Sequence, residues 1–165
     1  MRVLAIGAHP DDIEIACSGT LAKCVKRGDK VIVCHASTGN LGHVIIPPDE
    51  LTEIRKKEAE KAGSLAGIEV IGGMFNDLDI FDNNKAARDK MVEVIKYAQP
   101  DFIITHNPDD YMPDHTAVSR LVFDASFTAT LPNYKCGGEK AAKLVPIYYM
   151  DTLAGVNFNP TEFVD

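Results

Sequence analysis

Length and composition are those of an ordinary globular domain: the chain has 165 residues, 25% charged and 45% hydrophobic, which excludes pervasive disorder and fibrous low-complexity structure. Seventeen basic and 24 acidic side chains give a formal charge of −7, so we expect neither nucleic acid nor anionic membranes as partners. No apolar run approaches the roughly 20 residues that a membrane-spanning helix needs.

Short apolar runs alternate along the chain with longer amphipathic segments. Residues 2–8 and 30–36 are nearly continuous apolar runs, which predicts strands buried on both faces. Residues 12–27 between them have helical periodicity. A polar loop over 37–48 then leads to a helix predicted over 50–66.

The second half continues this alternation. Residues 68–71 predict a short strand that ends at two glycines, before an acidic stretch. We expect Asp77, Asp79 and Asp82 in that stretch to be solvated, although Asp77 follows the strand closely enough to reach a site. Further elements are predicted as helices over 84–98 and 116–129 and strands over 101–105 and 145–150.

This β-α-β-α order predicts an α/β fold, a Rossmann-like three-layer α/β/α arrangement with a mostly parallel sheet. Ligands in such folds bind beyond the carboxyl ends of the strands. Three predicted strand ends carry unusual polar segments, namely HPDDIE at 9–14, STGN at 37–40 and HNPDDYMPDH at 106–115.

Histidine and carboxylate side chains at the first and fourth strand ends suit zinc or iron. His9 and Asp12 lie three residues apart, so they share one side of a helical turn, and His115 would complete a two-histidine, one-carboxylate set. Asp11 is rotated by about 100° from Asp12, so it can lean over a metal-bound water instead. Pro10-Asp11-Asp12 alone is more often helix capping, and a lone histidine at a strand end is more often a core or surface residue. The two segments together, on strands that should meet at one edge, favour a metal site.

Two motifs resemble the PIG-L/LmbE-like family, the N-acetylglucosaminyl deacetylase superfamily of zinc-dependent enzymes. The first is AIGAHPDDIE followed by Ser18-Gly19-Thr20-Leu21, and the second is Met112-Pro113-Asp114-His115. The helix with Arg55 and Glu58 is similar to the family's R-x-x-E helix. The resemblance extends over residues 2–129.

The resemblance implies a hydrolase that removes an acyl group, usually acetyl, from the amine of an amino sugar or its conjugate. It implies His9, Asp12 and His115 as ligands of Zn²⁺, with Fe²⁺ as the alternative ion, and Asp11 as the general base. Zinc lowers the pKa of bound water towards about 7, so that Asp11 can take its proton and pass it to the departing amine.

Further residues are expected near the substrate: Arg55, Asn40, His106, Asp110 and Tyr111. Asp114 is expected to orient a neighbouring polar group. A solvated helix face explains Arg55 equally well, and ordinary turn chemistry explains Asn40. His35 and His43 are assigned to structure or surface.

Two features depart from the family pattern. Met112 stands where many relatives have a histidine that stabilises the tetrahedral intermediate, and a thioether donates no hydrogen bond. Either His106, Tyr111 or another donor substitutes, or activity is reduced. We also expect a single domain over 1–165 that lacks the C-terminal segment of its relatives. These departures favour an alternative, a catalytically impaired metal- or sugar-binding module. A nucleotide-binding Rossmann domain is the weakest alternative, because no Gly-rich phosphate loop is present.

The four cysteines form no CxxC pair. Cys17 and Cys24 lie seven residues apart on a predicted helix, which favours buried thiols and a reducing cytoplasm. A homo-oligomer is compatible with the sequence.

Overall fold

The computed structural model describes residues 1–138, 140–153 and 155–165, which form a five-stranded sheet and four helices. The strands are β1 (Arg2–Gly7), β2 (Lys30–Ser37), β3 (Glu69–Phe75), β4 (Phe102–His106) and β5 (Ile147–Met150). The helices are α1 (Asp12–Lys26), α2 (Pro48–Ala66), α3 (Lys85–Ala98) and α4 (Pro113–Thr128).

The strands pair in the order β3-β2-β1-β4-β5, and every neighbouring pair is parallel. Successive side chains of β1 point to opposite faces of the sheet. Val3 therefore joins the core beneath α1, whereas Leu4 joins the core beneath α3 and α4. The predicted α/β fold is confirmed.

The chain leaves β1 towards β2 and β3 on one side, while β4 and β5 lie on the other side. Such a reversal of strand order opens a crevice at the carboxyl ends of the two central strands, here β1 and β4. The segments that follow these strands are the two that bear the predicted metal ligands. Sheet topology thus explains why residues about 100 positions apart in sequence meet.

Strand β3 runs to Phe75, so the prediction that it ends at the two glycines was wrong. Gly72 and Gly73 lie within the strand at φ values of 131° and 70°, where the register with β2 shifts. A side chain at Gly72 would collide with the backbone carbonyl of His35. These glycines therefore mark an irregularity inside the strand, which the sequence does not distinguish from a turn.

Helix α4 begins at Pro113, three residues before its predicted start. Proline is favoured in the first turn of a helix because its missing N–H has no partner there in any case. Asp114 and His115 therefore lie in the first turn of α4, at the end of the helix that begins beside the crevice.

Three of the four thiols, Cys17, Cys24 and Cys34, are buried and unpaired, as predicted, and Cys136 is partly buried. Within the described parts of the chain, the helices are either too short or too polar to cross a bilayer.

Candidate metal centre

The crevice between β1 and β4 brings His9, Asp12 and His115 together. One ligand atom from each of the three lies within 4.8 Å of the other two. Asp12 is the first residue of α1, and His115 lies in the first turn of α4, so both helices begin at the crevice. The spacing fits three ligands around one ion.

Asp12 is the central residue of this group. Its Oδ1 lies 3.3 Å from His115 Nε2, and its Oδ2 accepts a hydrogen bond from the His9 backbone N–H at 2.7 Å. Burial alone would raise the pKa of Asp12, but the close contacts with the imidazoles of His106, His115 and His9 outweigh it and hold the pKa far below its ordinary value. Asp12 is thus an ionised ligand at any physiological pH.

The two predicted histidine ligands have raised pKa values in the metal-free protein. Burial would lower the pKa of His9, but contacts with Asp12 and Asp114 raise it to about 9. Burial is likewise outweighed at His115, where Asp12 and Asp110 raise the pKa above its ordinary value. Without a metal, protons therefore provide the positive charge that faces Asp12.

The surroundings of the His115 ring nitrogens indicate that a cation fits here. His115 is 5% exposed, and neither of its ring nitrogens makes a hydrogen bond within the described residues. Buried polar atoms without partners cost about 1–3 kcal/mol each, and an ion on Nε2 would remove one such cost. The donor set of two imidazoles and one carboxylate also suits a divalent ion.

Carboxylates stand behind both histidines. His9 Nε2 lies 3.0 Å from Asp114 Oδ2, which leaves Nδ1 on the side of Asp12. His115 Nδ1 lies 3.1 Å from Asp110 Oδ2, which leaves Nε2 on the side of Asp12. Metal-binding histidines usually have such a partner, because it fixes the tautomer and the direction of the ring.

A second set, His106, Asp110 and His115, meets the same distance criterion. The rings of His106 and His115 are stacked, however, with centroids 3.9 Å apart and planes 14° from parallel. An imidazole lone pair lies in the plane of its ring, so nearly parallel stacked rings do not direct lone pairs at one point. The His9 and His115 rings are inclined by 51°, which makes the first set the better one.

His106 packs as a neutral ring. Burial lowers its pKa, although the Asp12 contact opposes the shift. Its Nε2 accepts a hydrogen bond from the Ala8 N–H at 2.9 Å, which requires an unprotonated Nε2. His106 therefore supports the ring of His115 and keeps only Nδ1–H as a donor.

Asp11 lies outside the ligand set, with its side chain about half exposed. Burial raises its pKa, and the guanidinium of Arg55 opposes the rise. Arg55 Nη2 lies 3.4 Å from Asp11 Oδ2, and Nη1 donates to the Pro10 carbonyl at 3.1 Å. Arg55 therefore holds the turn that presents Asp11.

The other predicted substrate contacts lie at different places. His106 and Asp110 line a cavity of about 220 Å³ next to Asp12 and His115. Tyr111 is half exposed, with its ring 6.0 Å from that of His115. Arg55 lines a separate cavity of about 410 Å³ beside β3. Asn40 bonds to the neighbouring turn, since its Oδ1 accepts from the Asp77 N–H.

Asp77 was expected to be solvated, and this expectation is wrong. It is 9% exposed and accepts hydrogen bonds from Ser37 Oγ and from the Gly39 and Leu41 amides. Its position directly after a parallel strand, from which the sequence predicts that it could reach a site, is what distinguishes it from Asp79 and Asp82. Asp79 is exposed, as expected, and Asp82 pairs with Arg120 at the surface.

Comparisons with known proteins identify a family for this chain. The profile of the GlcNAc-PI de-N-acetylase family, PIG-L, matches residues 4–126. A 4-oxalmesaconate hydratase of Pseudomonas putida is 28% identical over 152 residues, covering 88% of this chain and 58% of the relative. A 1D-myo-inositol 2-acetamido-2-deoxy-alpha-D-glucopyranoside deacetylase of Corynebacterium diphtheriae is 28% identical over 158 residues, covering 79% of this chain and 54% of that relative. The chain thus spans little more than half the length of these relatives.

Solved structures share the fold. The 4-carboxy-2-hydroxymuconate hydratase of Pseudomonas putida superposes with a TM-score of 0.84 at 24% identity, covering all of this chain and 72% of that one. The N,N'-diacetylchitobiose deacetylase of Pyrococcus horikoshii gives a TM-score of 0.79 at 24% identity, covering 92% of this chain and 60% of that one. At this level of identity the likeness concerns the architecture alone.

Proposed function

The chain belongs to the PIG-L family of GlcNAc-PI de-N-acetylases, and from this premise we propose that it is a zinc-dependent deacetylase of an N-acetylated amino sugar or its conjugate. The observation that carries the proposal is the convergence of His9, Asp12 and His115, with Asp11 on the adjoining turn. The deacetylase relative, which acts on an acetamido sugar linked to inositol, supports this substrate class.

The residues divide the chemistry between them. His9, Asp12 and His115 would hold the ion, which supplies Lewis-acid chemistry that acidifies water and polarises the acyl carbonyl. Asp11 takes the proton of the attacking water and delivers it to the departing amine nitrogen. A carboxylate with a raised pKa suits both transfers near neutral pH. Fe²⁺ would be held by the same donor set.

Stabilisation of the developing oxyanion needs a hydrogen-bond donor, and Met112 offers none. Tyr111 is the substitute that we propose, because its half-exposed ring lies beside His115. His106 is less suited, since its ring is stacked against His115 and its Nε2 is an acceptor. If neither residue serves, the chain is a metal- and sugar-binding module without efficient turnover.

A second candidate function is metal-assisted addition of water to the carbon–carbon double bond of an unsaturated acid. The hydratase relative matches 88% of this chain, which favours it. The same ligand set and the same base could serve this reaction, because both reactions begin with a water that loses a proton. The products distinguish them: one reaction releases acetate, whereas the other forms a hydroxy acid.

We place this activity in the cytoplasm. Cys17, Cys24 and Cys34 are buried without forming disulfides, and thiols persist in reducing compartments.

Three proteins test the proposal: the wild type, Asp11→Asn and Asp12→Asn. We expect zinc in the wild type and in Asp11→Asn but not in Asp12→Asn, measured by elemental analysis. Acetate release from N-acetylglucosamine derivatives should fall by about 10²–10⁴-fold in Asp11→Asn, the usual contribution of a general base. The proposal fails if the wild type binds no metal, or if Asp11→Asn is as active as the wild type.

A further inference from the structure

The turn after β3, residues 76–79, contacts both sides of the candidate centre. The side chain of Asp77 reaches the segment 37–41, which lies beside Arg55. The backbone N–H of Leu78 points the other way and donates to Asp114, the partner of His9. Two adjacent residues thus join the Arg55 side of the site to the metal side.

The carboxylate of Asp77 is fully engaged with this segment. Its Oδ1 accepts from Ser37 Oγ at 2.8 Å and from the Gly39 N–H at 2.9 Å. Its Oδ2 accepts from the Leu41 N–H at 2.9 Å, and the Asp77 N–H donates to Asn40 Oδ1 at 3.0 Å. Charge-assisted hydrogen bonds of this kind are about twice as strong as neutral ones.

The segment 37–41, which Asp77 fixes, packs against the side chain of Arg55, and we call it the 37–41 wall. A Cβ added to Gly39 would lie 3.0 Å from Pro10 Cδ and 3.4 Å from Arg55 Cγ. The Gly39 backbone, at φ 72°, therefore packs directly on both residues, and a side chain there would push them away. Because Arg55 pairs with Asp11, the position of this wall influences the base.

Leu78 adopts an unusual backbone conformation, with φ at 60°. Non-glycine residues adopt this conformation only when their surroundings enforce it. Its N–H donates to Asp114 Oδ2 at 2.8 Å, and the same oxygen lies 3.0 Å from His9 Nε2. The hydrogen bonds of Asp77 fix the preceding residue and so help to impose this conformation.

We propose that Asp77 is a positioning residue that holds the 37–41 wall against Arg55 and, through the Leu78 N–H, holds Asp114 against His9. Asp77 does not touch the reacting atoms, since its oxygens bond to its own chain. This positioning of Arg55 and Asp114 does not depend on which substrate is turned over.

The first test measures amide hydrogen exchange by NMR on the zinc-loaded full chain. We expect the Gly39 and Leu41 amides to exchange at least about tenfold faster in Asp77→Ala, because both lose a charged acceptor. Asp77→Asn keeps one carbonyl oxygen, which serves Ser37 and Gly39, and turns an NH₂ towards Leu41. In this variant only Leu41 should exchange faster. Asp79→Asn is the matched control and should leave both amides unchanged.

The second test measures the zinc dissociation constant of the same variants. Loss of a group behind a metal ligand typically weakens binding by about 10–100-fold, and Asp77→Ala should approach the lower value. Asp79→Asn should bind zinc as the wild type does. A merely structural role would lower the melting temperature and speed exchange throughout the chain, with no difference between Gly39 and Leu41 in Asp77→Asn.

A third, kinetic test rests on the proposed function. Arg55→Lys should raise KM for the acyl amine less in an Asp77→Ala background than in an Asp79→Asn background, because only Asp77→Ala removes the acceptor that holds Gly39 against Arg55. Equal exchange at Gly39 and Leu41 in Asp77→Asn, or unchanged exchange in Asp77→Ala, would overturn the positioning role. If no acyl amine is hydrolysed, the proposed function fails, and the exchange test still decides the role of Asp77.

Discussion

Adjacent carboxylates in the turn after β1 have opposite pKa shifts. Burial raises the pKa of Asp11, and the charge of Arg55 is the largest of the influences that oppose the rise. Burial acts on Asp12 in the same direction, but three histidines reverse the result. Carboxylates whose environments push their pKa values apart are suited to different tasks. One is suited to exchange protons, and the other to remain a permanent anion beside a cation.

Replacing Arg55 by Met should therefore change the pH dependence of the reaction. The guanidinium lowers the pKa of Asp11, so its removal should raise that pKa further. Because the base must be ionised, the acidic limb of the kcat/KM profile should move to higher pH. Lys57→Met removes the same positive charge at an exposed position of α2, two residues further along the chain, and should leave the acidic limb in place. A limb that stays or moves to lower pH in Arg55→Met would contradict this account.

The residues predicted from the sequence are those whose neighbours are local or lie at strand ends. His9 lies in the turn that leads into α1, which begins at Asp12, and His115 follows the strand beside β1, so spacing and fold class were enough to predict that the three side chains meet. Asp77 was misjudged because its partners Ser37 and Leu41 lie 40 and 36 positions away. An acidic run is typical of a solvated loop, and only the fold shows which member is buried.

At the scale of elements, two helical glycines in α1 and α2 present contrasting surroundings. A Cβ at Gly19 would meet nothing within 4 Å. A Cβ at Gly63 would collide with Val70 Cγ2 and lie 2.8 Å from the Ile68 carbonyl oxygen. Gly63 thus allows the last turns of α2 to approach β3, whereas Gly19 has no such role.

The same substitution at these two positions should have opposite effects on stability. Gly19→Ala should raise the free energy of unfolding by about 0.5–1 kcal/mol, because alanine restricts the unfolded chain and favours the helix. Gly63→Ala should lower it by about 1–3 kcal/mol, the usual cost of overpacking. Urea titrations of both variants measure this, and a stabilised Gly63→Ala would show that α2 moves away freely.

Elements were predictable in kind and order because apolar periodicity is a local property of the sequence. Their ends were less predictable where proline or glycine can serve two purposes. Pro113 opens α4 although it also resembles a loop residue, and Gly72 continues β3 although it resembles a stop. In both cases tertiary contacts decide, since the Gly72 backbone lies against the carbonyl of His35.

At the scale of the whole molecule, metal binding, protonation and folding are coupled. In the metal-free chain, His9 and His115 hold protons more tightly than a free imidazole does, because both pKa values are raised, that of His9 to about 9. A metal ion must displace these protons, and the ligand set exists only in the folded chain. Zinc should therefore stabilise the fold by an amount that depends on pH as well as on zinc concentration.

The melting temperatures of zinc-loaded and metal-free protein should diverge as the pH rises. His9 contributes stability to the metal-free fold that is complete below its ordinary pKa of 6.5 and is lost as the pH passes about 9. The stability of the zinc-loaded fold does not fall in this way over the same pH range, because its histidine ligands carry no proton that could be lost. Each displaced proton should widen the difference in unfolding free energy by up to about 1.4 kcal/mol per pH unit between these limits.

Differential scanning fluorimetry with zinc or with a chelator, across this pH range, measures the divergence. A gain of 1 kcal/mol corresponds to about 2–4 °C for a chain of this size, so a change over two pH units is readily detected. Asp12→Asn is the control, since a chain without the central carboxylate should give the same melting temperature with and without zinc at every pH. A difference that stays constant or narrows as pH rises would mean that His9 and His115 are not the groups from which zinc displaces protons.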